Sequence, residues 1–135
     1  MALSTSTTKE PQKQHVLVVD DDAPVSTLFK KELTALGYSV DVAGNGEEGL
    51  LLARTRKPNL IILDLIMPKI GGRELLEKIR ADKATFSIPI MIVSHLESNY
   101  EQKKCEELGI CCYIVKHKSS IQNIINKARL ILEKT

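Results

Sequence analysis

Side chains of three kinds that handle phosphoryl groups follow directly on four short apolar runs in this sequence. Asp20, Asp21 and Asp22 follow VLVV, Asp64 follows LIIL, Ser94 follows IMIV, and Lys116 follows YIV. Carboxylates gathered in one place repel one another unless a cation intervenes. Oxygen ligands without His or Cys suit Mg²⁺, which takes a few carboxylates and completes its shell with water or phosphate oxygens. A lysine and a hydroxyl aimed at the same spot complement further negative charge arriving there. Together these are the parts of a phosphoryl-transfer site with a carboxylate nucleophile. Taken singly, each has a plainer use: an Asp triplet can cap a helix, Ser94 can sit in a turn, and Lys116 can be a solvated side chain. The reading depends on whether one fold brings the four run ends together.

The elements that must do so are legible. Residues 15–19, 60–63 and 90–93 are continuous apolar runs, as parallel strands covered on both faces require. Residues 38–43 alternate apolar and polar, which suits a half-exposed edge strand, and residues 111–115 make a fifth strand. Between them Val25, Leu28, Phe29, Leu33 and Leu36 recur at helical spacing, with Pro24 in the first turn and Gly37 as stop. Asn45-Gly46 opens a second helix through Arg54, before Pro58. Gly71-Gly72 precedes a third, carried by Leu75, Leu76 and Ile79. A fourth, around residues 100–108, has a thin apolar face and ends at Gly109. Ser119 or Ser120 caps a fifth, striped by Ile121, Ile124, Ile125, Ala128 and Ile131.

Strict alternation of strand and helix predicts an α/β fold: a doubly wound five-stranded parallel sheet with five helices and right-handed crossovers. With the alternating second strand at an edge, the flavodoxin-like order 2-1-3-4-5 fits best. Such sheets carry their sites at the carboxyl ends of the strands, near the switch point between strands one and three. All four candidate positions are expected on that edge.

Composition narrows the classes. The chain has 135 residues, 43% hydrophobic and 27% charged, which suits one domain. Residues 13–135 are expected to form it, with residues 1–12, rich in Ser and Thr, as a disordered tail. No apolar run is long enough to span a bilayer, and the amino terminus lacks the apolar centre of a signal peptide. A net charge of +2 is too mild to argue for nucleic acid, and Lys30-Lys31 and Lys103-Lys104 lie inside helical patterns without interleaved aromatics. Cys105, Cys111 and Cys112 have no metal-binding spacing to one another or to His15, His95 and His117. They read as small buried hydrophobes in a reducing compartment, the cytoplasm.

VLVVDDD at 16–22, LIILDLIMPKIGG at 60–72, IPIMIVS at 88–94 and YIVK at 113–116 resemble, in order, the signature of two-component receiver domains. The resemblance covers residues 13–135. It implies that Asp64 is the phosphoacceptor, fed by a sensor histidine kinase or a phosphotransfer protein. It implies that Asp20 and Asp21 organise Mg²⁺, Asp21 directly and Asp20 through water, with Asp64 and the Ile66 carbonyl as further ligands. Ser94 and Lys116 would contact the phosphoryl group, and Ser94 and Tyr113 would form the switch. Phosphorylation would draw Ser94 inward and leave space for Tyr113 to turn in. The output protein or domain would read the face of helix four, strand five and helix five.

Two positions depart from the pattern. His117 stands where proline usually follows the lysine, so the peptide there is expected to be trans and the loop differently shaped. His95 stands where a small residue usually follows the hydroxyl. With Ile66 and Leu96 it lines the expected path of the water that would remove the phosphoryl group. A slow loss is expected, the alternative being that His95 acts as a general base and speeds it. Three other readings share parts of this frame. A flavodoxin would need phosphate donors where the three aspartates stand. An aspartate-nucleophile phosphatase or phosphotransferase usually carries its nucleophile after strand one and a cap insertion. A pseudo-receiver would use the same surface without phosphorylation. The chain is expected to be no enzyme but an acceptor that assists its own phosphorylation, either alone or as a piece of a larger regulator.

Overall fold

A computed structural model describes residues 13–135, so the expected tail at residues 1–12 lies outside the described residues. The strands are β1 (His15–Val19), β2 (Ser39–Ala43), β3 (Leu60–Leu63), β4 (Ile90–Ser94) and β5 (Cys112–Val115). The helices are α1 (Ala23–Ala35), α2 (Gly46–Arg56), α3 (Gly72–Ala81), α4 (Asn99–Glu107) and α5 (Ile121–Glu133). All strand pairs are parallel and the sheet order is β2-β1-β3-β4-β5. The predicted fold class and order hold.

Period-two alternation explains why the inner strands are apolar throughout. Val16 and Val18 face one side, with Phe29 and Leu33 of α1 and Ile124, Ile125 and Ala128 of α5. Leu17 and Val19 face the other, with Ala53 of α2, Leu75, Leu76 and Ile79 of α3, and Cys105 of α4. Every β3 and β4 residue is buried, because both faces are covered. The outer strands β2 and β5 are only partly buried.

Caps mark most of the helix starts. The Asp22 side chain accepts from the Val25 amide, Asn45 from Glu48, Ser98 from Glu101 and Ser120 from Asn123. The plainer use of the Asp triplet therefore falls to its third member. The second helix runs two residues beyond Arg54, stopping at Lys57 in the left-handed conformation. The expected fifth strand starts one residue late. Cys111 donates its amide to the Ile90 carbonyl at 2.8 Å but lies before β5 and is exposed. Cys112 is half-buried and Cys105 buried, so the reading of three buried cysteines is corrected for Cys111. All three thiols are free.

Helix α4 buries a single side chain, Cys105. Its far end is held instead by Arg80 of α3, whose guanidinium donates to the Leu108 carbonyl at 2.7 Å and the Gly109 carbonyl at 2.9 Å. The same group donates to the Phe86 and Ile88 carbonyls, at 3.0 and 2.8 Å. Among the described residues no helix is long and apolar enough to cross a membrane.

Candidate functional site

Backbone pairing continues one residue past the strands and sets the site. The Asp20 amide donates to the Ala43 carbonyl at 3.0 Å, and the Asp64 amide to the Val19 carbonyl at 2.9 Å. Asp20 and Asp64 thus stand side by side at the carboxyl edge of β1 and β3, 3% and 7% exposed. Asp21 joins them from the surface, with oxygens of all three carboxylates within 4.8 Å of one another. One oxygen of Asp20 accepts the Asp22 amide at 2.9 Å, and one of Asp64 accepts the Ile66 amide at 3.2 Å.

The other oxygen of each aspartate meets Lys116. Its ammonium lies 2.8 Å from Asp20 Oδ2 and 3.3 Å from Asp64 Oδ2, on a side chain only 8% exposed. Reaching from the end of β5, past β4, to β3 and β1 takes a long side chain. Burial pulls the ammonium down, but the hydrogen bond to Asp20 and the charges of Asp64 and Asp20 outweigh it, leaving Lys116 above its ordinary value. Burial pushes the Asp20 carboxyl up against the opposing pull of Lys116. One ammonium shared by two buried carboxylates, with a third beside them, leaves net negative charge. Hard oxygen donors with surplus negative charge fit a divalent cation of the Mg²⁺ type.

Ser94 reaches the same edge fully buried, and its hydroxyl accepts the Leu96 amide at 3.3 Å. Tyr113 donates its hydroxyl to the Leu96 carbonyl at 2.6 Å and packs against the core face that includes Cys105 and Leu108. Burial first, then the charges around it, push the phenol to about 12. The Tyr113 side chain is half-buried. Ile66 turns its side chain to solvent, 54% exposed.

Two glycines matter more than their sequence context suggests. A Cβ on Gly72 would meet the Asp64 carbonyl oxygen and lie 2.5 Å from Leu65 Cα. A Cβ on Gly46 would lie 2.5 Å from the Ile70 carbonyl oxygen. Both press the loop after β3 against its neighbours and so fix Asp64. The pair Gly71-Gly72 reads in sequence as a helix start, and nothing local distinguishes the crowded glycine from the free one.

The two departures meet. His117 lies in a 3-10 turn over Lys116–Lys118, and all peptide bonds among the described residues are trans. His95 Nδ1 is 3.0 Å from His117 Nδ1.

Residues 16–129 match the response regulator receiver domain family. The chain belongs to that family. The chain is 36% identical over 107 residues to a probable transcriptional regulator, ycf27, of Pyropia yezoensis, covering 79% of this chain and 43% of that protein. It is 38% identical over 101 residues to the alkaline phosphatase synthesis transcriptional regulatory protein PhoP of Bacillus subtilis, covering 75% and 41%. This receiver therefore spans less than half the length of these curated relatives. Among solved structures, a CheY-like receiver domain protein from Methanospirillum hungatei superimposes with a TM-score of 0.84 at 26% identity, covering 91% of this receiver and 96% of that chain. The receiver domain of the Francisella response regulator 1452 gives 0.80 at 29%, covering 90% and 98%.

Proposed function

We propose that this receiver takes a phosphoryl group from the phosphohistidine of a sensor histidine kinase or phosphotransfer protein onto Asp64. The observation that carries the reading is the Lys116 ammonium, 2.8 and 3.3 Å from Asp20 and Asp64 in a site where a third carboxylate converges. In the transfer the phosphorus–nitrogen bond of the donor breaks and a bond from an Asp64 oxygen to phosphorus forms. Asp20, Asp21, Asp64 and the Ile66 carbonyl would hold Mg²⁺, which supplies charge neutralisation for the phosphoryl oxygens. Lys116 exchanges its hold on Asp64 for a phosphoryl oxygen, and Ser94 turns its hydroxyl from the Leu96 amide to another. Catalysis here is positioning and charge stabilisation, so the receiver needs only a donor of high transfer potential.

The switched surface is the face of α4, β5 and α5, because α4 is lightly buried and both switch residues adjoin it. The names of the longer relatives support an output in transcription control, exerted through an output domain or partner and not by this receiver touching DNA. Three free thiols suit a reducing compartment and support the cytoplasm as its place. The test is intact-mass measurement after a small acyl-phosphate donor and Mg²⁺. The wild type should gain one phosphoryl group and Asp64→Asn none, with Asp21→Ala losing the Mg²⁺ dependence. Undiminished labelling of Asp64→Asn would overturn the assignment.

A further inference from the structure

The loop between β4 and α4 and the turn between β5 and α5 each present one histidine to the other. His95 and His117 are both exposed, and their ring planes lie within 18° with centroids 5.2 Å apart. The Nδ1 atoms are only 3.0 Å apart, closer than stacked faces allow, so the rings meet edge to edge across a hydrogen bond. On its far side His117 Nε2 lies 3.0 Å from Glu97 Oε1. Lys118 holds the other oxygen of Glu97 at 2.5 Å.

A carboxylate accepts and cannot donate, so His117 carries its proton on Nε2. In the uncharged ring this leaves the Nδ1 lone pair directed at His95. A carboxylate that fixes the tautomer of an imidazole from behind is the usual outer partner of a metal-binding histidine. His95 in turn holds its proton on Nδ1 for this hydrogen bond. Moving that proton to its Nε2, through solvent, frees both Nδ1 lone pairs with no net change in charge. Each exposed ring must then swing by about 45° from the N–N line for both to aim at one ion.

We propose that His95 and His117 form a binding site for a divalent transition-metal ion, separate from the carboxylate cluster, with Glu97 orienting His117 from outside. With metal–nitrogen bonds of about 2.0–2.1 Å, nitrogens about 3 Å apart subtend an angle near 90° at the metal. That is the cis angle of the tetragonal geometry taken by Cu²⁺ and Ni²⁺. Water fills the remaining positions. The backbone of the site is held in place by the flanking residues, since Ser94 is fully buried and the Lys116 side chain is 8% exposed, while the two exposed rings turn to meet the ion. The bound ion bridges the loop carrying Ser94 to the turn carrying Lys116. The proposal stands on these two segments alone and holds whether or not Asp64 is phosphorylated.

Calorimetric titration of the full chain with Ni²⁺ and with Cu²⁺ tests it, in saturating Mg²⁺ to occupy the carboxylates. A Cys111→Ser background removes the exposed thiol. One ion should bind per chain, and either His95→Ala or His117→Ala should abolish that site. Glu97→Gln should weaken it by about tenfold to a hundredfold. Electron paramagnetic resonance of the Cu²⁺ form should count two imidazole nitrogens, a readout that is lost in each histidine variant independently of stability. Absence of a saturable site would overturn the proposal. So would stoichiometry and affinity unchanged in both histidine variants, or a Cu²⁺ spectrum with no pair of imidazole nitrogens.

Discussion

Ser94 and Tyr113 are coupled through the backbone of one residue, Leu96, whose amide donates to Ser94 Oγ at 3.3 Å and whose carbonyl accepts from the Tyr113 hydroxyl at 2.6 Å. Turning the Ser94 hydroxyl toward a phosphoryl oxygen frees the Leu96 amide, and the peptide segment it belongs to also anchors Tyr113. Phosphorylation should therefore shift the NMR signals of Leu96 and the Tyr113 ring together. Ser94→Ala should still accept the group on Asp64 but leave the Tyr113 signals nearly unmoved. Shifts confined to α2 and α3 in the wild type would contradict this route.

The half-buried Tyr113 phenol also gives a pH dependence. Its value is raised from 10.0 to about 12, so the folded state holds the proton more tightly than the unfolded chain. The resulting stability is full below pH 10 and is lost as pH rises toward 12. Cys105, raised by burial from 9.0 to about 11, loses its share over a lower window. Tyr113→Phe should be less stable than wild type at neutral pH and fall less steeply above pH 10, as urea midpoints will register.

Asp20 sets a second balance. Burial raises its carboxyl, so its contribution is greatest in acid and is lost as pH rises through the folded value. Once ionised, the group is a burden on the metal-free fold. Asp20→Asn keeps an acceptor for Lys116 and should raise the melting temperature in chelator. Added Mg²⁺ should narrow the difference, since binding at a hundred times the dissociation constant stabilises the wild type by about 2.7 kcal/mol.

Two neighbouring glycines make a paired test. Gly72→Ala forces backbone apart at Asp64 and Leu65 and should cost about 2 kcal/mol or more, with slower phosphoryl acceptance. Gly71→Ala meets nothing nearer than the Leu65 carbonyl at 3.8 Å and should be close to neutral. Denaturant unfolding and intact-mass kinetics on both variants check it.

The lifetime of the phosphoryl group should be long. Ile66 and Leu96 offer no side-chain group to orient a water, and the Nδ1 of His95 is engaged by His117. Ile66→Asn and His95→Ala should each shorten the lifetime, about tenfold for every ~1.4 kcal/mol taken from the barrier. Phosphate-release kinetics measure it, and slower release in either variant would refute this account of the water path.

Sequence order revealed the sheet because its period is local: each run of apolar residues states its own burial. Asp20, Asp64 and Lys116 were legible for the same reason, each being the first polar residue after such a run. What stayed hidden lies between segments distant in the chain. The crowding at Gly72, the His95–His117 contact and the four carbonyls gathered by Arg80 each depend on how two finished elements meet. The shared bonds of Leu96 were hidden similarly, since an apolar residue advertises its side chain and not its peptide. Cys111 was misplaced by a single residue, the difference between the last of a loop and the first of a strand.

Arg80 gives α4 the mechanics of a lever. The guanidinium clamps the Leu108 and Gly109 carbonyls, while along its length the helix sinks only Cys105 into the core. A pivot about this clamped carboxyl end would have its stroke grow toward Ser98. It would have to carry or break the tie of the first turn to α3, where Arg73 Nε lies 2.9 Å from Glu101 Oε1. Nine residues at 1.5 Å each give an arm of about 13 Å, so a tilt of about 10° sweeps the amino end through about 2 Å. The amino end leads back to Leu96 and the Ser94 hydroxyl, where the arm is longest.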